Sequence, residues 1–195
     1  MKSSLFIISI LSILFLSGCT TKTVGLLPEN ATFTATKESK TALVIGSIEE
    51  AYITIPHAAY VYIWNLDKSQ QETNMVSTTD VAQRKQDFSD RNHLGNYFVF
   101  EVTEGEYKIS SWQYRYYRDH AEELQPPIVY KFEKGKIYYI GRFFSNALTM
   151  NLALRDESQN DIVKVKEKYT NFPEQEVINL SQSHSFYDWK LIRKK

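Results

Sequence analysis

Two segments of this chain spell strand, turn and strand in immediate succession, and they restrict the fold more than any other feature. Tyr97-Phe98-Val99-Phe100-Glu101-Val102 runs into Thr103-Glu104-Gly105-Glu106 and then Tyr107-Lys108-Ile109-Ser110-Ser111-Trp112. Ile128-Val129-Tyr130-Lys131-Phe132 runs into Glu133-Lys134-Gly135-Lys136 and then Ile137-Tyr138-Tyr139-Ile140-Gly141-Arg142-Phe143. Aromatic and β-branched side chains suit a pleated, half-buried surface. A glycine gives the backbone freedom that a tight turn needs. Each segment is therefore expected to be a β-hairpin.

Further strand signals surround them. Ala42-Leu43-Val44-Ile45 is a short apolar run of the kind that forms a buried strand. Tyr60-Val61-Tyr62-Ile63-Trp64 alternates, with Val61 and Ile63 expected to face the core and the aromatics a second surface. Pro56 limits residues 52–55 to a short edge strand, and residues 148–154 offer another strand. Residues 66–95 are polar and long for an irregular loop, with a helical turn expected over residues 80–88. Several short strands with regular turn signals predict a mainly β fold, an antiparallel β-sandwich. Tyr at 13 copies and Phe at 11 agree with that class.

Past residue 155 the period changes. Ser158 followed by Asp161 reads as a helix N-cap with an acid three residues on, and Ile162, Val165 and Tyr169 recur at helical spacing. Pro173 is expected to open a second short helix through Val177, Ile178 and Leu180. One or two short C-terminal helices should thus pack on the sandwich.

The N-terminus carries a different message. Lys2 precedes residues 5–16, which are apolar except for Ser9 and Ser12. Crossing a bilayer core takes roughly 20 apolar residues, whereas a secretory signal has an apolar run of about 7–15 behind a positive charge. The run ends in Leu16-Ser17-Gly18-Cys19, which resembles the lipobox of bacterial lipoproteins. That resemblance implies cleavage after Gly18 and a diacylglyceryl group on the Cys19 thiol. Cys19 is also the only cysteine, so an exported chain would have one leftover thiol that lipidation explains. Thr20 stands where Asp favours inner-membrane retention in enteric-type bacteria, so the resemblance leans to the outer membrane, facing the periplasm.

The domain plan is accordingly a signal peptide over residues 1–18, a lipidated N-terminus and tether over 19–40, a sandwich over 41–155 and a helical segment with a basic tail over 156–195. Within the tether Val24-Gly25-Leu26-Leu27 is the stretch expected to dock on the domain. Charge excludes one partner class. The chain has 23 basic and 23 acidic side chains, and removing residues 1–18 takes away only Lys2, so no basic excess points to nucleic acid.

Glu104-Gly105-Glu106-Tyr107-Lys108-Ile109, followed by Phe132-Glu133-Lys134-Gly135-Lys136-Ile137-Tyr138-Tyr139-Ile140-Gly141, resembles small bacterial lipoproteins whose domains are similar to transthyretin-like, carboxypeptidase-regulatory-like sandwiches. The resemblance covers roughly residues 41–155. It implies a non-catalytic module and carries no site residues over.

No catalytic residues, cofactor or metal site are expected. His57, His93, His120 and His184 lie far apart, and no HExxH, paired-cysteine, EF-hand, GxSxG, P-loop or GxGxxG pattern occurs. Asp119, His120, Glu122 and Glu123 read as a solvated loop before Pro126-Pro127, and Glu101, Glu104 and Glu106 as charge around a turn. The candidate binding surface is Trp112, Tyr114, Arg115, Tyr116 and Tyr117, with Arg118 beside them. Aromatic faces with arginine can stack on sugars or peptide side chains. The competing account is a strand packed on both faces. The basic tail, residues 190–195, is either a headgroup contact or a solvated terminus. The expected function is a lipid-anchored envelope lipoprotein in a structural or partner-binding role. Its partners would be the membrane through Cys19 and an envelope protein or glycan. The alternative is a small envelope hydrolase acting on glycan or peptide.

Overall fold

The computed structural model describes residues 21–23, 30–33, 38–67, 73–78, 86–115, 117 and 119–192. Cys19, the rest of residues 1–20, Val24 to Leu27, Tyr116 and Arg118 lie outside them, as does most of the helical turn expected over 80–88.

The chain forms two sheets. One runs β1 (Thr21–Thr23), β4 (Thr73–Ser77), β3 (Ala59–Asn65), β7 (Gly105–Tyr114) and β9 (Val129–Phe132). The other runs β5 (Phe88–Ser89), β6 (His93–Thr103), β2 (Thr41–Ala51), β10 (Ile137–Asn146), β11 (Asn151–Arg155), β13 (Phe186–Ile192) and β8 (His120–Ala121). A short strand β12 (Val177–Asn179) also pairs with β10. The helices are α1 (Ser158–Lys168) and α2 (Ser181–His184).

The sheets share one core. Val44 and Ile48 of β2, Phe98 and Phe100 of β6 and Phe143 of β10 meet Val61 and Ile63 of β3, Ile109 and Trp112 of β7 and Phe132 of β9. Opposite pleats of β2 serve two layers. Leu43 and Ile45 turn outward and are covered by Val165 of α1 and by Tyr169, which caps its C-terminus. A strand buried on both faces reads as a continuous apolar run, which is why residues 42–45 do not alternate.

Several expectations need correction. The sheets are mixed rather than wholly antiparallel, because β2 with β10, β10 with β12 and β1 with β4 run parallel. Neither expected hairpin forms. β6 and β7 lie in different sheets, as do β9 and β10, so each glycine turn carries the chain across the core. The physical reason is side-chain size. Both arms turn large residues toward each other, with Phe132 and Tyr138 rings 5.2 Å apart, and packed sheets sit about 10 Å apart rather than at hydrogen-bonding distance.

Residues 52–55 form no strand, with bends at 53–55, and residues 148–150 form a turn before β11. Residues 177–179 are strand β12 rather than helix, and the second helix comes later, at α2. Residues 19–40 are not wholly a tether. Residues 21–23 pair with β4, and Phe33 is buried with its ring 5.4 Å from that of Tyr169. Residues 190–192 belong to β13, where Leu191 packs on the core.

Candidate functional site

Among the described residues, one gathering of reactive groups surrounds Glu50, near the end of β2. Residues 42, 44, 48 and 50 share one pleat and all face inward, so the alternation that buries Val44 and Ile48 also buries a carboxylate. Its oxygens accept the backbone N–H groups of His57 at 2.5 Å and Ala58 at 2.9 Å, and the Thr78 hydroxyl at 3.3 Å. Thr78 Oγ1 in turn accepts the Ala59 N–H at 2.9 Å. Ala58 holds φ at 57°, a left-handed conformation that costs a non-glycine residue roughly 1–2 kcal/mol. Glu50 thus clamps the strained loop between β2 and β3 and joins the two sheets. Burial raises its pKa above the ordinary carboxylate value, and the His57 and Ala58 amides, His57 itself and Thr78 oppose that rise.

His57 Nδ1 lies 3.3 Å from Glu50 Oε1, and the imidazole sits 5.3 Å from the rings of both Tyr114 and Tyr117. Burial also pushes the Tyr114 phenol up, so it stays neutral. A histidine beside a carboxylate is a general-base pattern, and the same carboxylate oxygens hold two backbone amides and a hydroxyl, so Glu50 also serves as a clamp.

A second buried carboxylate, Asp161 of α1, meets the eight-stranded sheet. It pairs with the Arg142 guanidinium and accepts the Ser47 hydroxyl at 2.5 Å and the Tyr139 hydroxyl at 2.9 Å. Arg142 also reaches Glu49 at 3.1 Å, which His93 Nδ1 approaches at 2.8 Å. Gly141, at φ 112°, lies where β10 shifts register against β2, immediately before Arg142. Burial works against the Arg142 charge, and Asp161 and Glu49 more than offset it, so its pKa is raised. Asp161 is therefore a fastening for the helix, and the N-cap is Glu157 rather than the expected Ser158.

The expected binding surface is corrected by the same alternation. Trp112 and Tyr114 share the inner pleat of β7 and are fully buried, with Trp112 donating its indole N–H to the Trp189 carbonyl at 2.9 Å. Arg115 and Tyr117 are exposed, and Tyr116 lies outside the described residues. Large apolar side chains are exposed instead around the Glu50 loop. Ile53 is 61% and Ile55 64% exposed, and Tyr117 touches His57. Leu148, 69% exposed, follows Ala147, whose N–H bonds the Ala51 carbonyl. The sequence signal for this apolar tip was two isoleucines flanking Thr54 in a segment that Pro56 bars from a sheet interior.

A groove of about 570 Å³ lies between the Lys134–Lys136 turn and residues 174–176, at the opposite end of the sheets. No group of three or more His, Cys, Asp or Glu among the described residues could hold a metal ion. No described helix is long and apolar enough to cross a membrane. Comparison with protein-family models, with curated proteins and with solved structures finds no match for this chain.

Proposed function

We propose that this chain is a lipid-anchored protein of a bacterial cell envelope, held by lipid on Cys19 and acting through structure or binding rather than catalysis. The observation that carries the reading is the order Lys2, apolar residues 5–16, then Leu16-Ser17-Gly18-Cys19 with the sole cysteine of the chain. Two acyl chains on one residue suffice for stable anchoring, at about 0.8 kcal/mol per buried CH₂. Thr20 favours the outer membrane, facing the periplasm.

The two-sheet core supports the likeness to transthyretin-like sandwiches. The non-catalytic reading is supported by the bonding of Glu50 and Asp161, both of which hold the fold together. The binding surface is the tip formed by Ile53, Ile55, Leu148 and Tyr117, since exposed apolar clusters mark interaction sites. Its partner is an envelope protein or a glycan. An envelope hydrolase is the competing reading, and it rests on the Glu50–His57 contact.

Fractionation tests the anchor. The native chain should sediment with membranes, and a Cys19→Ser chain exported behind an ordinary cleavable signal in place of residues 1–18 should stay in the soluble fraction. Equal membrane retention of the two forms would refute attachment through Cys19.

A further inference from the structure

Trp64 is half exposed, on the outer face of the five-stranded sheet, and its position relative to Thr21 is fixed by strand register. Thr21 pairs with Thr73, and Thr73 pairs with Trp64, so the three form one row across β1, β4 and β3. Two strand spacings separate Thr21 from Trp64, roughly 10 Å. β1 runs antiparallel to β3, so the chain before Thr21 leaves the sheet at the end where β3 runs on to Leu66. Cys19 is two residues before Thr21 and can be at most roughly 7 Å from it. A lipid on Cys19 therefore enters its bilayer beside Trp64 and Leu66, which are 47% and 38% exposed.

We propose that the Trp64–Leu66 end of β3 rests in the interfacial layer of the bilayer that holds Cys19, making the phospholipid surface the partner of this edge. The inference rests on Cys19 carrying the lipid. The chemistry fits the place. An indole is amphipathic and suits the headgroup level. Lys108, Trp64's neighbour in the same row, holds its ammonium 6.0 Å from the indole centre and 2.7 Å from the Glu123 carboxylate. Such a side chain lays its methylenes on apolar surface and keeps its charge in water. Docking at this end leaves the Ile53, Ile55 and Leu148 tip pointing away from the membrane, because Ala59 and Ser77 mark the far ends of β3 and β4.

The test uses the full lipoprotein purified from membranes and reconstituted in phosphatidylethanolamine–phosphatidylglycerol vesicles, with plain or dibrominated acyl chains. Bromine quenches tryptophan only at short range. Of the three tryptophans, Trp112 and Trp189 are 0% and 5% exposed, so Trp64 is the one placed to report. Brominated vesicles should lower the emission by roughly a third, the share of one tryptophan in three. Trp64→Phe should abolish that quenching while the protein still floats with the vesicles. Floating protein with equal emission in both vesicle types overturns the docking and leaves the anchor standing, as when a second copy or an envelope protein covers Trp64. Quenching that survives Trp64→Phe also overturns it. A chain with no acyl mass on Cys19 and no flotation removes both.

Discussion

Glu50 shows how one side chain can carry a whole loop. A buried acceptor left unmatched costs about 1–3 kcal/mol. Glu50→Gln keeps one acceptor oxygen but turns an NH₂ toward a backbone N–H, so it should destabilise the fold by about that amount. The pH dependence has a definite sign. Burial raises the Glu50 pKa in the folded state above its ordinary 4.5. Between those two values the folded chain holds the proton that the unfolded chain has released, so stability falls as pH rises. Glutamine does not titrate. The gap between native and Glu50→Gln should therefore be widest below pH 4.5 and narrow as pH rises through the raised pKa. Urea unfolding from acid to neutral pH checks this, and a gap that widens with pH would contradict it. The sequence held this residue in plain alternation with Val44 and Ile48, yet Glu49-Glu50 at a strand end resembles a solvated acidic pair. Only the second sheet, arriving with Ala58 and Thr78, makes Glu50 a buried group. Trp112 and Tyr114 carry the complementary ambiguity, between a binding surface and a packed strand, and they are buried. Aromatics on one pleat suit a core or a binding face equally, and the choice depends on what packs over them.

Among the elements, α1 was the most legible. Val165 and Tyr169 bury at the helical spacing their sequence displays, and the helix covers Leu43 and Ile45. Its fastening was hidden, because Asp161 looked like part of a cap and its partners Arg142, Ser47 and Tyr139 lie far off in sequence. Removing one member of a buried ion pair typically costs about 3–5 kcal/mol, whereas replacing both with apolar residues is often neutral. Asp161→Leu should therefore destabilise by roughly 3–5 kcal/mol, and adding Arg142→Met should recover part of that loss, because the Ser47 and Tyr139 hydroxyls and Glu49 still lack their partners. Denaturant titration of the single and double variants distinguishes this from a surface pair, for which both changes would be nearly silent. The turns at Gly105 and Gly135 mark what local sequence cannot supply. A hairpin and a crossing between two sheets share the same strand, turn and strand, and differ only in whether the arms hydrogen-bond or face each other across side chains. The bulk of Phe100, Tyr107, Phe132 and Tyr138 held that information, in a form that requires the packed core to interpret.

At the scale of the molecule, the mainly β class and the two-layered core follow from short apolar segments with regular turns. The parallel pairs of β2 with β10 and β1 with β4 bring together strands remote in the chain, so no local period announces them. β1 changes the meaning of the N-terminus most. A tether over residues 19–40 would let the domain wander above its membrane, whereas residues 21–23 pair with β4 at a sheet edge, two residues after Cys19 in the chain. Everything proposed about orientation, with Trp64 toward the lipid and Ile53 away from it, depends on that cysteine. The decisive measurement is the intact mass of the mature protein and of its N-terminal peptide, for the native chain and for Cys19→Ser. The account predicts a chain that begins at Cys19 and carries a diacylglyceryl group, with neither cleavage after Gly18 nor lipid in the variant. A mature chain cut elsewhere and free of lipid would contradict it.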